Sequence, residues 1–464
     1  MDENFNSLLQ RYEDFISSNQ NGYFDVEELE MLADYYMWEG MTAESSRTLD
    51  LGIKMHPQSE LLQLKLARLY SSMGKKDKAL EILDRSSDRS YDLKTMLLKG
   101  DLLVSLNRFT DADAIFAKAM QNDEFNLDEI SLDIAYIYIC AEAYDRALRY
   151  LQAGLQYNPN NIDLLFEIAY CYEETLQYDA CIQMLNHILD LQPYSSEAWF
   201  NLGQIYYAMG NYPKAIEAYD YVIVIDEKDE LGWLQRGHTY FQLEEFDKAL
   251  EDYAVYLELT EYPSYALVHI GECYEKKGQF DKALSIYEQA LQLDENNIEA
   301  YTGIAVCYLE TNAFEKSIEY SKKALKIDPE LCEAWVYLAE AYVNLDKFDD
   351  AIDAYETSLH IDENQPDTWI ALGSVFFELE RLEEARDAYL KAYELNENAE
   401  NVQLLLSVVF FKLNNISESL YFLNEAIKRN NTATESFFEM CPEALSLFEK
   451  IIGNTQQETK STEE

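Results

Sequence analysis

Small residues recur about every 34 residues through most of this sequence, and this feature restricts the possible folds more than any other. They fill one column of twelve successive units: Ala33, Ala67, Gly100, Ala135, Ala169, Gly203, Gly237, Gly271, Ala305, Ala339, Gly373 and Ser407. A second column of Ala, Ser or Cys lies twelve residues further on in every unit, from Ser45 to Ser419. Columns kept this small indicate two helices that approach too closely for a side chain much larger than a methyl group.

The stretch Ser196 to Asp229 is the clearest copy of the unit. Counting Ser196 as position 1, positions 4, 7, 8, 11, 20 and 24 hold Trp199, Leu202, Gly203, Tyr206, Ala215 and Tyr219. Position 11 is aromatic in eleven of the twelve units, with Leu103 as the exception. This spacing resembles the tetratricopeptide repeat, in which two antiparallel helices, A and B, bury their apolar faces only by stacking on further copies.

The resemblance implies an all-α fold, a right-handed superhelical solenoid of antiparallel helix pairs. It covers residues 26–433 as twelve tandem repeats, which begin near 26, 60, 93, 128, 162, 196, 230, 264, 298, 332, 366 and 400. We expect an N-terminal capping helix within residues 1–25, a C-terminal capping helix over 434–452 and a disordered tail over 453–464. The polar stretch Asp84 to Asp92 interrupts the period and is interpreted as a distorted connection.

Each predicted hairpin also carries its own turn residues. Residue types that tolerate a left-handed backbone stand where helix A must end, as at Gly210, Gly278, Asn312, Asp346 and Asn414. Repeats of this family often close with proline at position 32, which is matched by Pro57, Pro159, Pro193 and Pro329. Glutamate replaces proline in several other units, and this departure predicts a slightly looser connection.

Composition restricts the class of partner and the compartment. The 36 basic and 87 acidic residues give a net charge of −51, which argues against nucleic acid and anionic membrane surfaces, since both need clustered Lys and Arg. The N-terminal residues contain no apolar run of the length of a signal peptide or a membrane span. Seven cysteines, odd in number and without a C-x-x-C pair, predict a reducing cytoplasm rather than a disulfide framework or a zinc site.

No motif for catalysis or cofactor binding is found in the sequence. It lacks a phosphate-binding glycine loop, an H-E-x-x-H motif and a nucleophile elbow. His269 and Cys273 have helical spacing, but Cys273 occupies a position where Cys171 and Cys307 recur as small packing residues. We therefore expect a protein that is not an enzyme, with no metal and no cofactor.

The resemblance places a binding surface on the concave face, which this family lines with helix A positions 2, 5, 9, 12 and 13. Position 5 is almost wholly apolar, and positions 9 and 12 add rings in the fourth to seventh units. We predict a groove that binds a partner through Tyr136, Phe166, Tyr170, Phe200, Gln204, Tyr207, His238, Phe241, Glu173 and Glu272. The alternative for position 5 is a side chain half buried against the neighbouring helix.

Acidic residues surround this apolar stripe, at position 2 and nearby. An apolar floor with acidic walls fits a protein segment that has aromatic or aliphatic anchors and Lys or Arg flanks. Two known uses of the family are disfavoured: position 5 lacks the lysines of repeats that clamp a terminal carboxylate, and position 6 lacks the asparagine ladder of the O-linked N-acetylglucosamine transferase. We expect a cytoplasmic interaction scaffold; the alternative is an adaptor that self-associates through an exposed end or the convex face.

Overall fold

A computed structural model describes residues 3–18, 22–85, 92–121, 126–399, 401–430 and 432–445. Throughout these ranges the regular structure is helical, without a strand. The chain divides into two compact units, Met1–Asp226 and Glu227–Glu464, which are described separately.

Unit 1 contains a leading helix, α1, followed by six consecutive helix pairs. Its helices are α1 Glu3–Ser18, α2 Val26–Trp38, α3 Thr42–Met55, α4 Glu60–Ser72, α5 Lys76–Arg85, α6 Leu93–Ser105, α7 Phe109–Met120, α8 Leu127–Ile139, α9 Tyr144–Tyr157, α10 Ile162–Glu174, α11 Tyr178–Leu191, α12 Ser196–Ala208 and α13 Tyr212–Ile225. The first helix of each pair corresponds to helix A and the second to helix B.

Unit 2 contains six further pairs and a closing helix. Its helices are α14 Glu230–Gln242, α15 Phe246–Leu259, α16 Pro263–Lys276, α17 Phe280–Leu293, α18 Ile298–Glu310, α19 Phe314–Ile327, α20 Cys332–Val343, α21 Phe348–Ile361, α22 Pro366–Glu378, α23 Leu382–Leu395, α24 Val402–Lys412, α25 Ile416–Arg429 and α26 Ala433–Met440. Residues 442–445 are also helical. Both units are therefore solenoids of antiparallel helix pairs, as the sequence predicts.

The turn inside every pair has the same backbone conformation. Position 15 has a positive φ, between 55° and 74°, in all twelve pairs: Gly40, Gly74, Asn107, Glu142, Leu176, Gly210, Glu244, Gly278, Asn312, Asp346, Glu380 and Asn414. The next residue donates its N–H to the carbonyl of position 11, as from Asn211 to Tyr206 at 2.8 Å. This bond closes helix A as a Schellman cap does, and it confirms the five turn residues predicted from sequence.

Both small columns lie inside the pairs, and every residue of both columns is buried. Glycine occupies position 8 where a large ring occupies position 24. A Cβ atom added to Gly203 would lie 2.5 Å from the Tyr219 ring, and one added to Gly271 would lie 2.5 Å from the Tyr287 ring. Alanine or serine stands at position 8 where position 24 is leucine or serine, with Ala339 and Tyr355 as the exception. A larger side chain at position 24 is therefore accommodated by a smaller residue at position 8.

In seven of the twelve pairs, the side chain at position 4 bonds to the connection before the pair. The side chain donates a hydrogen bond to the carbonyl six residues earlier, which belongs to position 32 of the preceding pair. The bond joins Trp199 to Pro193, Trp233 to Glu227, Tyr301 to Glu295, Trp335 to Pro329, Trp369 to Glu363, Gln63 to Pro57 and Gln403 to Glu397. Since the acceptor is a main-chain oxygen, glutamate at position 32 serves as well as proline.

In each unit, one helix outside the pairs packs against a terminal pair. Leu8 and Tyr12 of α1 pack with Phe24 and the first pair, and the Tyr12 hydroxyl lies 2.8 Å from the Thr48 hydroxyl. In unit 2, Phe437 of α26 packs against the last pair. The helix predicted over 434–452 is interrupted at Cys441, because the residue before Pro442 disfavours the helical conformation. Its part after 445, the predicted tail over 453–464 and residues 86–91 of the irregular connection lie outside the described residues.

Candidate functional site

Burial of the helix A residues separates the columns that pack from those that face outward. Positions 2 and 13 are exposed in all twelve pairs, and position 9 is exposed or half-buried in eleven. Position 5 is never exposed; it is buried at Leu64, Leu234 and Val268 and half-buried at Phe166 and Phe200. We define the helix A face as positions 2, 6, 9, 12 and 13. Position 5 lies beneath this face. This agrees with the alternative given for that column, in which the side chain is half buried against the neighbouring helix.

Two tyrosines of unit 1 stand on the helix A face with much of their rings exposed. Tyr136 of α8 is 47% exposed and Tyr170 of α10 is 41% exposed. The Tyr136 hydroxyl donates to Glu167 at 2.7 Å, and this bond, with burial, raises the pKa of Tyr136 to about 12. Phe166 and Glu173 are half-buried nearby in sequence, and burial raises the pKa of Glu173. Exposed tyrosine rings and carboxylates therefore occur together on the helix A face of α8 and α10.

The remaining predicted residues of unit 1 belong to α12. Phe200 is half-buried, with its ring 5.9 Å from that of Tyr219. Tyr207 is half-buried too, 5.5 Å from the ring of Tyr212, and Gln204 is exposed. The structure thus packs Phe200 and Tyr207 against rings of α13 and leaves Gln204 facing outward.

In unit 2 the predicted residues His238 and Glu272 are linked through a third residue, His269. The two imidazole Nε2 atoms lie 3.5 Å apart, and His269 donates through Nδ1 to Glu272 at 2.9 Å. Burial and the neighbouring His269 lower the pKa of His238 to about 4. The sequence search weighed His269 only with Cys273, whose thiol is fully buried with a pKa raised by burial to about 12. Within the described residues no group of three or more His, Cys, Asp or Glu side chains could hold a metal.

A cavity of about 290 Å³ opens on the helix A face of unit 2 beside the predicted residues Phe241 and Glu272. We call it the α16–α20 cavity; it is lined by Phe241, Glu272, Glu275, Lys276, Tyr287, Glu299, Thr302, Gly303, Val306, Glu333 and Tyr337. The buried Tyr287 hydroxyl donates to Glu275 at 2.9 Å, and burial raises the pKa of Glu275. Burial and the neighbouring Glu333 raise the pKa of Tyr337 to about 12.

Sequence reasoning did not include Tyr337 among the site residues. Tyr337 is at position 6, a column that was read only for asparagines. The half-buried rings and acids at that position, such as Tyr337 and Glu167, are the signal that would have extended the predicted surface.

None of the helices in the described ranges is both long enough and apolar enough to cross a membrane.

Four family models match the chain, one after another. A tetratricopeptide repeat-like domain matches residues 6–134, one tetratricopeptide repeat model matches 138–193, and another matches 196–229. The model of the cilia and flagella-associated protein 70 C-terminal domain matches residues 227–437. No curated protein matches the sequence.

Several solved structures have a similar fold. Yeast Tom70 is 14% identical, with a TM-score of 0.48 over 89% of this chain and 98% of that chain. A tetratricopeptide repeat protein from Parabacteroides merdae is 20% identical, with a TM-score of 0.46 over 54% of this chain and 98% of that chain. The APC/C hetero-tetramer Cut9-Hcn1 is 15% identical, with a TM-score of 0.43 over 82% of this chain and 89% of that chain. Because these TM-scores are below 0.5, the family assignment rests on the sequence models and the helix pairs.

Proposed function

Because this chain is a tetratricopeptide repeat protein, we propose that it is a non-enzymatic scaffold that binds a segment of a partner protein on the helix A face. The partner segment has aromatic or aliphatic anchors and Lys or Arg flanks. We further propose that each of the twelve helix pairs is one repeat, and that the protein works in the reducing cytoplasm. The seven free cysteines are consistent with that compartment.

The exposure of Tyr136 and Tyr170 carries this proposal. Tyrosine side chains this exposed add little buried apolar area to the core of the unit. Exposed tyrosine rings are, however, frequent anchors at protein interfaces. The same face of α8, α10 and α12 holds seven acids and no Lys or Arg: Glu129, Asp133, Asp163, Glu167, Glu173, Glu174 and Glu197. A basic segment is the complementary partner.

The double variant Tyr136→Ala with Tyr170→Ala tests the proposal. Partners are first identified by affinity capture with the wild-type chain, and the strongest is then purified and titrated against both proteins. We expect its affinity to fall by at least about tenfold, as loss of two aromatic anchors does at interfaces. The matched control is Tyr157→Ala with Tyr421→Ala, which removes two exposed tyrosines away from the helix A face. Equal affinity of wild type and test variant, with both folded, would contradict the proposal.

Self-association is the second candidate, favoured by exposed apolar side chains elsewhere on unit 1. Tyr194 is 85% exposed and Val224 is 81% exposed, and the Trp199 and Tyr221 rings stack near them in sequence at 4.1 Å. Apolar side chains that form a contiguous exposed patch mark interaction surfaces, and these residues are the candidates for such a patch on unit 1. Light scattering over a concentration series separates the two functions, since a protein that remains monomeric at the highest concentration excludes self-association.

A further inference from the structure

We propose that the α16–α20 cavity is a binding pocket for an arginine side chain of the partner segment. This inference rests on the proposed function and specifies the chemistry of one contact within unit 2. The cavity has room for a side chain, aromatic rings in its wall and an excess of carboxylates from α16, α18 and α20. The rings of Phe241 and Tyr337 form part of its wall, and Gly303 contributes no side chain there.

Four carboxylates reach this cavity from three helices, Glu272 and Glu275 from α16, Glu299 from α18 and Glu333 from α20. The cavity contains one cation of the chain, Lys276, which lies 3.6 Å from Glu275 and is largely exposed. Glu299 and Glu333 form no ion pair within the described residues. The cavity therefore has a net negative charge that an incoming cation would neutralise, and partial burial strengthens that attraction.

The rings favour arginine over lysine. A guanidinium is planar, is weakly hydrated and can stack on an aromatic face while it bonds to a carboxylate, whereas an ammonium acts as a compact, strongly hydrated charge.

Arginines of this same chain already occupy sites of this composition. Arg236 bonds to both carboxylate oxygens of Asp252, at 2.6 and 2.8 Å, and its guanidinium carbon lies 4.8 Å from the centre of a Trp233 ring. Arg381 bonds to Glu384 at 3.1 Å and lies 4.4 Å from the centre of the Phe376 ring. The α16–α20 cavity is lined by carboxylates and aromatic rings of the same chemical kind, so its lining suits a guanidinium from another molecule.

The test uses three fluorescein-labelled peptides made of repeated Arg-Ala-Leu, Lys-Ala-Leu or citrulline-Ala-Leu units, titrated against the full chain by fluorescence anisotropy. Citrulline has the shape of arginine without its charge. We expect the arginine peptide to bind tightest, the lysine peptide several-fold more weakly, and the citrulline peptide at least about tenfold more weakly.

Three variants then locate the binding. Glu299→Gln with Glu333→Gln should weaken the arginine peptide by at least about tenfold. The matched control, Glu288→Gln with Glu356→Gln, changes the net charge equally at exposed positions of α17 and α21 and should leave binding within about twofold. Tyr337→Leu, which keeps every charge, should reduce the preference for arginine over lysine. Circular dichroism confirms that each variant is folded.

The outcomes separate this inference from the proposed function. The arginine pocket is wrong if the citrulline peptide binds as tightly as the arginine peptide, if both charge variants weaken binding equally, or if no peptide binds. In each of these cases the effect of the Tyr136 and Tyr170 substitutions on the natural partner still decides the proposed function, because those residues lie in unit 1.

Discussion

Position 15 of each helix pair shows how one backbone requirement is met by very different residues. Four of the twelve pairs use glycine there, which adopts a positive φ without strain. Leu176 has a φ of 57° at the same position, with its side chain 71% exposed. Because the Leu176 side chain is largely exposed, its burial contributes no stabilisation that would offset the strain of the positive φ.

Leu176→Gly should therefore stabilise unit 1. A left-handed conformation costs an L-residue roughly 1–2 kcal/mol relative to its preferred regions, whereas glycine avoids most of that strain but loses more entropy on folding. We expect a net gain of about 1 kcal/mol, measured as a higher midpoint of chemical unfolding. The reverse change, Gly210→Leu at the equivalent turn, should destabilise the protein by a similar amount. A lower midpoint for Leu176→Gly would show that the turn is not strained.

The pair formed by His238 and His269 makes stability depend on pH. The folded-state pKa of His238 is about 4, below the ordinary value of 6.5, so between these values the unfolded chain takes up the proton first. The stability contributed by neutral His238 is complete above pH 6.5 and is lost as pH falls towards 4. The shift corresponds to about 3 kcal/mol.

His238→Gln removes this dependence. We expect the wild-type unfolding midpoint to fall relative to that of the variant as pH is lowered from about 7 to about 4.5. His360→Gln, at an exposed histidine of α21, is the control and should leave the dependence unchanged. A constant difference between wild type and His238→Gln across this range would contradict the assignment of the shift to His238.

At the scale of the helix pair, the bond from position 4 to the preceding connection is the recurring link between neighbours. Tyr301 makes this bond through its hydroxyl alone, which donates to the Glu295 carbonyl at 3.1 Å. Tyr301→Phe keeps the ring and removes only the donor. Since an intramolecular hydrogen bond contributes about 1 kcal/mol net, we expect a loss of that order in the free energy of unfolding.

Tyr308→Phe is the control for this substitution. Tyr308 is half-buried on the same helix, α18, and no hydrogen bond of its hydroxyl is found within the described ranges. A loss for Tyr301→Phe no larger than that for Tyr308→Phe would mean that the bond to Glu295 does not stabilise the connection.

The helix pairs could be predicted from sequence because their packing depends on residue size. Positions 8 and 20 are buried throughout and admit only small side chains, so the columns mark the pairs directly. The turn could be predicted only where Gly, Asn or Asp occupies it. Leu176 and Glu142 adopt the same φ because the Schellman bond and the short connection impose it, which is not visible in the residue type.

The exposure of the residues in the proposed binding surface could be predicted only in part, for a geometric reason. The exposed Tyr136 and Tyr170 lie where the resemblance placed them, at position 9. Phe166 and Phe200 at position 5 are half-buried, because burial of that column depends on neighbouring helices that a single repeat does not contain. Tyr337 and the cavity beside it arise from three consecutive pairs together, so a reading of one column at a time missed them.

At the scale of the whole molecule, charge is the dominant feature. The 87 acidic residues exceed the 36 basic residues by 51, and most ion pairs of the described chain lie at the surface, where each contributes little. Mutual repulsion of the acids therefore outweighs the attraction within these pairs and favours the expanded, unfolded chain.

Added salt should consequently stabilise this protein. Raising the ionic strength from about 0.01 M to about 0.15 M shortens the Debye length from about 30 Å to about 8 Å and screens the repulsion between distant acids. We expect the thermal unfolding midpoint to rise over this range, equally in sodium and potassium chloride. A midpoint that falls with salt would show that the ion pairs outweigh the repulsion.

The carbonyl that accepts the bond from position 4 has a consequence for how such a chain can change over generations. Every amino acid supplies the same main-chain oxygen, so position 32 can mutate without loss of the acceptor, as proline and glutamate there already illustrate. Most point mutations at position 32 therefore leave the acceptor of this bond in place. If a whole hairpin is duplicated or exchanged, the position 4 donor of the following pair still meets a main-chain carbonyl at position 32. This is one physical route by which an array of this kind can lengthen.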